Sequence, residues 1–187
     1  MKYAGIGHRN TPEKVRNMMT SIGSQLAQMG FILRSGNAIG ADQAWEEQVT
    51  RKMKEIFIVE RKESCPFGII ADVTQEQWDF VVSHYHGGMR AFSKQSAYVQ
   101  YLFLRNLNIL CGKHLDDKVD FVAYWHEGEH CDGGTGHTVA MAKTLEIPCF
   151  NIWSQKDQQA MDTFVNELMA KGANHDQHQN KQGNRAG

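Results

Sequence analysis

Apolar residues return along this chain in two alternating rhythms, short unbroken runs and longer stretches in which they recur every three or four positions. The first run, "KYAGIG" (2–7), reads as a strand. Val15, Met18, Met19, Ile22, Leu26 and Met29 then recur at helical spacing, with Thr11 placed to cap, Pro12 at the first helical position, Glu13 in the first turn and Gly30 to close. The pattern repeats with "FILRSG" (31–36) as a strand, 39–54 as a helix and "IFIVE" (56–60) as a strand. "RKESCPFGIIADV" (61–73) interrupts it. Two helical stretches follow, 74–86 and the more apolar "SKQSAYVQYLFLRNLNILCG" (93–112), before the strand "VDFVAYW" (119–125), a helix over 135–146, the strand "IPCFNI" (147–152) and a helix over 155–170. Strands that alternate with helices predict a mainly parallel sheet covered by helices, one α/β domain over 1–171. The remainder, 172–187, has too little apolar content to pack and is expected to be disordered.

Composition narrows the function classes. With 187 residues, 41% hydrophobic and 22% charged, the chain buries one full core, roughly 70% of its unfolded surface. A formal net charge of -1 supplies no global basic field, so tight sequence-independent binding to duplex DNA is not implied. Cys65, Cys111, Cys131 and Cys149 form no CxxC pair and read as reduced thiols rather than a zinc knuckle or a disulfide framework. Neither a secretory signal nor a membrane-length apolar run is present, and the expectation is a soluble cytoplasmic protein.

Three glycine-bearing segments follow predicted strands: "GIGHRN", "SGNAIGAD" and "CDGGTGHT". Ligands of open parallel sheets bind at the carboxyl ends of the strands, where helix N-termini offer unpaired N–H groups and glycine admits an anion closely. Together the three predict a phosphate cradle. Two known cradles are excluded. The dinucleotide fingerprint fails because Asn10 stands where the third glycine belongs and no acid ends the second strand. The P-loop fails because Ala41 and Asp42 follow Gly40 where Lys and Ser or Thr are required.

The segments "YAGIGHRNTPEKV", "LRSGNAIGADQAWE", "LRNLNILCG" and "CDGGTGHTVAMAKTLEIPCFNI" resemble the SLOG superfamily, the domain shared by DNA processing protein A (the DprA/Smf family) and the LOG nucleotide hydrolases. The similarity spans Tyr3 to Ile152 and is greatest to short single-domain members from phages and mobile elements. It implies a Rossmann-like doubly wound α/β fold with helices on both faces and a site for a nucleotide or nucleotide-derived ligand. By that resemblance Gly7, His8 and Arg9 line the first loop, Ser35, Gly36, Asn37 and Asp42 the second, and Gly133, Gly134, Thr135 and Gly136 the phosphate-facing third, with Arg105 and Asn106 approaching from the inserted helix. Chemistry agrees, since Arg9 and Arg105 are bidentate phosphate donors and Asp42 is an acceptor for ribose hydroxyls. Equally, Asp42 is a first-turn acid that complements the helix dipole, and Arg105 reads also as a surface ion-pair residue.

LOG enzymes carry PGGxGTxxE, and laying it on this chain puts Asp132 at the proline, His137 at the threonine and Ala140 at the catalytic glutamate. The general acid–base group is then missing unless Glu46, Glu127 or Glu129 substitutes, so binding without turnover is expected, with no catalytic residue and no cofactor. A sensor or a phage sequestering protein fits. Single-stranded DNA binding of the DprA kind is one alternative, and a LOG-like N-glycoside hydrolase another. A homo-oligomer is implied by the superfamily, and "YVQYLFL" suits either an interface or the core.

Two clusters are read without a ligand. "WHEGEHCDGGTGH" gathers His126, Glu127, Glu129, His130, Cys131, Asp132 and His137, yet the spacing matches no HExxH or CxxC pattern and predicts a polar loop rather than a metal site. "SHYHGGMRAF" offers His84, His86 and Arg90 beside Tyr85 and Phe92, read as a helix end with core aromatics over a base-stacking platform. Met18, Met19, Trp45 and Trp78 are assigned to the core.

Overall fold

The structure, a computed structural model, describes residues 1–70, 73–128 and 131–183, with side chains described through residue 172. Glu129, His130 and the last residues of the tail, 184–187, lie outside the described residues.

Strand β1 (Lys2–Gly7) leads to helix α1 (Glu13–Gln28), strand β2 (Ile32–Ser35), the short α2 (Ala41–Glu46) and strand β3 (Lys54–Ile56). Helices α3 (Gln75–Ser83), α4 (Gly88–Phe92) and α5 (Ala97–Cys111) follow, then β4 (Phe121–Trp125), α6 (Gly133–Thr144), β5 (Cys149–Asn151) and α7 (Gln155–Gly183). The strands form one all-parallel sheet in the order β3-β2-β1-β4-β5. Winding therefore reverses between β1 and β4. In register, Gly7 lies opposite Trp125, so the loops after β1 and β4 leave the sheet side by side.

Alternation along β1 and β4 feeds two cores. Ala4, Ile6 and Val122 pack with Leu104, Leu107 and Met141 of α5 and α6, while Tyr3, Phe121 and Ala123 pack with Met19, Trp45 and Met161 of α1, α2 and α7. The α/β class, the parallel sheet and its helices on both faces are as the alternation predicts. Among the described residues no helix is long and apolar enough to cross a membrane.

Several boundaries differ from expectation, each for a local reason. Thr11 does not cap α1; its hydroxyl donates to the His8 carbonyl at 2.6 Å and pins the first loop, and Pro12 takes the cap position. α2 stops at Glu46 rather than running to Lys54, because side chains take its last carbonyls: the Thr20 hydroxyl donates to Ala44 O and Lys54 Nζ to Glu46 O. β3 starts and ends earlier than 56–60, since Ile58 N–H turns to pair with the Ile69 carbonyl of the returning segment. The "GGMRAF" stretch forms its own short helix, α4, so α5 starts at Ala97 behind Ser96, whose Oγ accepts from Val99 N–H. α7 continues past Ala170 to Gly183, through a segment with no proline and several good helix formers.

Beneath the sheet edge opposite the site, Arg34 is buried and paired with Glu55 at 2.6 Å and Asp117 at 2.5 Å, with Lys2 bridging the same two acids. This cluster fastens β2, β3 and the turn after α5 to one another.

Candidate ligand site at the strand reversal

A cavity of about 420 Å³ opens where the sheet winding reverses, walled by the loop after β1, the start of α2, one face of α5 and the first turn of α6. That is where an open parallel sheet separates adjacent loops and leaves a crevice. Its volume lies within the range of small-molecule sites.

Arg105 is the unusual group in it. Its side chain is 10% exposed, its Nη1 stands 3.7 Å from Asp42 Oδ2 and its Nε and Nη1 have no hydrogen-bond partner among the described residues. At 3.7 Å the contact is an ion pair without a hydrogen bond. Asp42, 7% exposed, also accepts from Ala38 N–H at 3.3 Å. Burial pushes the Asp42 carboxyl above its ordinary value while the Arg105 charge pulls it down, and burial lowers the Arg105 value against the pull of Asp42. A guanidinium in a protein keeps its proton, so the cavity holds a desolvated cation with donors to spare.

Gly36 makes room for it. A Cβ built there falls 1.1 Å from Arg105 Nη1. The second glycine of that loop, Gly40, has φ +92° and its Cβ direction is filled by the Arg9 carbonyl at 2.2 Å. Both glycines thus serve close packing around Arg105 and the first loop, and α2, one and a half turns long, supplies Asp42 from its first turn.

On the facing side, α6 begins with Gly133 at φ +58° and Gly134, whose Cβ direction is open. Asp132 caps its backbone without a side-chain hydrogen bond, and among the described residues the first-turn N–H groups of Gly133, Gly134 and Thr135 have no partner and are open to an anion. Gly133, Gly134 and Thr135 line the cavity together with Gly7, His8, Arg9, Asp42, Arg105 and Asn106. Ser35, Gly36, Asn37 and Gly136 support it from outside: Ser35 donates to Gly5 O at 2.8 Å, and Gly136 abuts the Cys131 carbonyl. Asn37, at φ +55°, is held by Glu46, which accepts from its N–H at 3.0 Å. Val99, Leu102 and Phe103 of the "YVQYLFL" stretch, read from sequence as interface or core, instead form an apolar cavity wall with Ile109, and their spacing, continued by Asn106, marks one helical face that Arg105 adjoins.

No free carboxylate stands in this cavity among the described residues. Asp42 is tied to Arg105, Glu127 is exposed outside it, and Glu46, its carboxyl pushed by burial to about 7, is occupied with Asn37. Ala140 is exposed on α6 away from the cavity, and His137 is buried with its Nε2 2.9 Å from the Val81 carbonyl, packed on Tyr85 and Phe103. Tyr85 and Phe92 pack in the core as expected, and His84 contacts Thr144 at 2.8 Å.

At the cavity's edge His8 and His126 stack with ring centroids 5.0 Å apart, and one ligand-capable atom from each of His8, His126 and Cys131 lies within 4.8 Å of the others. Burial, then the neighbouring His126, lowers the His8 value, and burial raises the Cys131 thiol to about 11.

No protein-family model matches the chain, and no curated protein matches it. Among solved structures the chain is similar to DNA processing protein A from Helicobacter pylori, a protein with a unique single-stranded DNA binding mode, with a TM-score of 0.50 and 11% identity over 94% of this chain and 81% of that one. At that identity the likeness establishes a shared Rossmann-like fold.

Proposed function

We propose that this chain binds a nucleotide-derived ligand at the strand reversal and holds it without cleaving it. The observation that carries the reading is Arg105, a buried guanidinium whose Nε and Nη1 lack partners among the described residues in a nucleotide-sized cavity. A phosphate satisfies such a group with short charge-assisted bonds. The free N–H groups at the start of α6 take the same phosphate or its neighbour, Arg9 closes the rim, and the base lies against Leu102 and Phe103. Asp42 first holds Arg105 and, lining the cavity, also accepts from a sugar hydroxyl. Among the described residues no unengaged carboxylate lines the cavity, which favours storage over hydrolysis. Such a protein acts as a sensor or a sequestering protein of the kind that SLOG-like phage proteins suggest.

The second reading is single-stranded DNA binding, favoured by the fold shared with DNA processing protein A. A formal net charge of -1 weighs against it.

Native mass spectrometry with nucleotides, cyclic oligonucleotides and ADP-ribose derivatives tests both. The expected result is an adduct of unaltered mass that is lost in Arg105→Ala and in Gly134→Glu. The second variant adds an acid to the first turn of α6, which supports the helix but repels phosphate, so lost binding with an unchanged or raised Tm isolates the site from the fold. A ligand recovered in pieces establishes a hydrolase. No adduct, with oligonucleotide binding that falls steeply as salt rises, establishes the DNA reading. The same spectra report assembly, where a homo-oligomer is expected.

A further inference from the structure

We infer that His8, His126 and Cys131 form a binding site for a transition-metal dication of the zinc class, with Asp132 as the fourth donor. The register of the sheet builds it. Gly7 pairs with Trp125 across β1 and β4, so the residues that follow each, His8 and His126, emerge side by side at the strand ends. Both backbones are fixed. His8 O accepts from Thr11 Oγ1 at 2.6 Å and from Ala41 N–H at 3.2 Å; His126 N–H donates to Asn151 Oδ1 at 3.1 Å, and Asn151 Nδ2 donates to His126 O at 2.8 Å. The chain then returns through Cys131 to the cap of α6, bringing the thiol within 4.8 Å of the imidazole ligand atoms.

One ring nitrogen of each imidazole is left unsatisfied. Among the described residues, His8 Nε2 and His126 Nδ1 are buried ring nitrogens with no hydrogen-bond partner. Asp132 Oδ1 lies 3.9 Å from His8 Nε2 and 3.6 Å from His126 Nε2, outside hydrogen-bond reach of both but placed between them. Two imidazoles, a sulfur and a carboxylate are a zinc donor set, and tetrahedral bonds of about 2.0–2.3 Å place the donors about 3.3–3.8 Å apart. Contraction by about 1 Å closes the His8, His126 and Cys131 atoms to that spacing, and the exposed Asp132 side chain swings in to complete it. The donors have the freedom for it: Asp132 is 87% exposed, His8 32% and His126 15%. On binding, the Cys131 thiol proton passes to solvent and sulfur coordinates as thiolate.

Such an ion ties the β1 and β4 loops together and sets a fixed positive charge beside α6, whose Gly133 Cβ position is 4.0 Å from His8 Cε1. The proposal does not depend on the ligand reading above, because its readout is the metal itself.

The test is titration of the chelator-treated full chain with Co²⁺. One equivalent is expected to produce the visible bands of a tetrahedral site and a thiolate-to-cobalt charge-transfer band, both removed by Zn²⁺. Cys131→Ser abolishes the charge-transfer band. His126→Gln weakens binding by more than the roughly 10–100-fold that loss of an outer partner costs. Asp132→Asn, an exposed change that leaves the fold intact, alters the visible bands. Cys149→Ser, at a sulfur that donates to Ile147 O, leaves the spectrum unchanged, and so does the double change His175→Ala with His178→Ala in the tail. Absence of the bands in the native chain overturns the proposal, as does a charge-transfer band that survives Cys131→Ser or a spectrum that vanishes with the tail histidines.

Discussion

Gly36 and Arg105 occupy one volume between them, and the site depends on that sharing. Gly36→Ala places a carbon where the guanidinium now lies, so Arg105 must leave Asp42. The expected outcome is loss of ligand adducts in the mass spectrum, with destabilisation of about 1–3 kcal/mol from overpacking in urea denaturation. Sequence alone offered Arg105 as a phosphate donor and could not distinguish that from a surface ion pair, because its burial arises from an absent side chain 69 positions away. Glu46 makes a separate prediction. Its carboxyl titrates near 7 in the fold, above the ordinary value of 4.5, so the folded state binds its proton more tightly. Its contribution is fully present below about pH 4.5 and is lost as pH rises through 7, a difference on the order of 3 kcal/mol. Glu46→Gln keeps an acceptor for Asn37 N–H and is expected to flatten the stability curve between pH 5 and 8; a slope unchanged from the native chain refutes it.

At the scale of elements, the clearest signals in the sequence were the helices that carry complete apolar stripes. α1 appeared within two residues of its expected bounds, and Gly30 closes it at φ +88°. α2 was overextended because Thr20 and Lys54, which stop it, come from outside its own stretch. A turn and a short 3-10 helix (Arg51–Met53) then lead to β3, and Asp42 stays in the first turn of α2 at the cavity wall. The buried ion cluster at β2 escaped sequence reading for a similar reason. Arg34 meets Glu55 through strand pairing and Asp117 through the turn after α5. Arg34→Met is expected to cost about 2–3 kcal/mol, less than the roughly 3–5 of a fully buried pair because Glu55 and Asp117 keep solvent and Lys2. Although burial opposes it, Lys2 and Arg34 hold Glu55 below its ordinary value, and the same two cations hold Asp117 low. That stability is present above the ordinary carboxylate range and lost as pH falls below about 4, a window distinct from that of Glu46. Acid unfolding of native chain and Arg34→Met should therefore converge at low pH.

For the whole molecule, strand order decides what the sequence left undivided. Three glycine loops were legible at one sheet edge, but only the order β3-β2-β1-β4-β5 sets the first and third beside the crevice and leaves the second to one side, where it contributes Ala38 and Asp42. The histidine pair was hidden in the same way, its members 118 positions apart and joined by the register. Among the residues of α7 whose side chains are described, Met161 and Val165 are the last buried ones, with Leu168 packed beside them. A chain ending at Lys171 is expected to hold its Tm within about 2 °C by thermal scanning, the scale of a change outside the core. A larger fall would mean that the tail helps to hold the fold. The shared volume at positions 36 and 105 reaches beyond any one chain. It couples two positions in evolution: a lineage that gains a side chain at 36 has to shorten residue 105 first, or lose the Arg105–Asp42 pairing in the interval. Sequences related to this one should therefore pair glycine at 36 with arginine at 105, and wherever one changes, the other should be found changed as well.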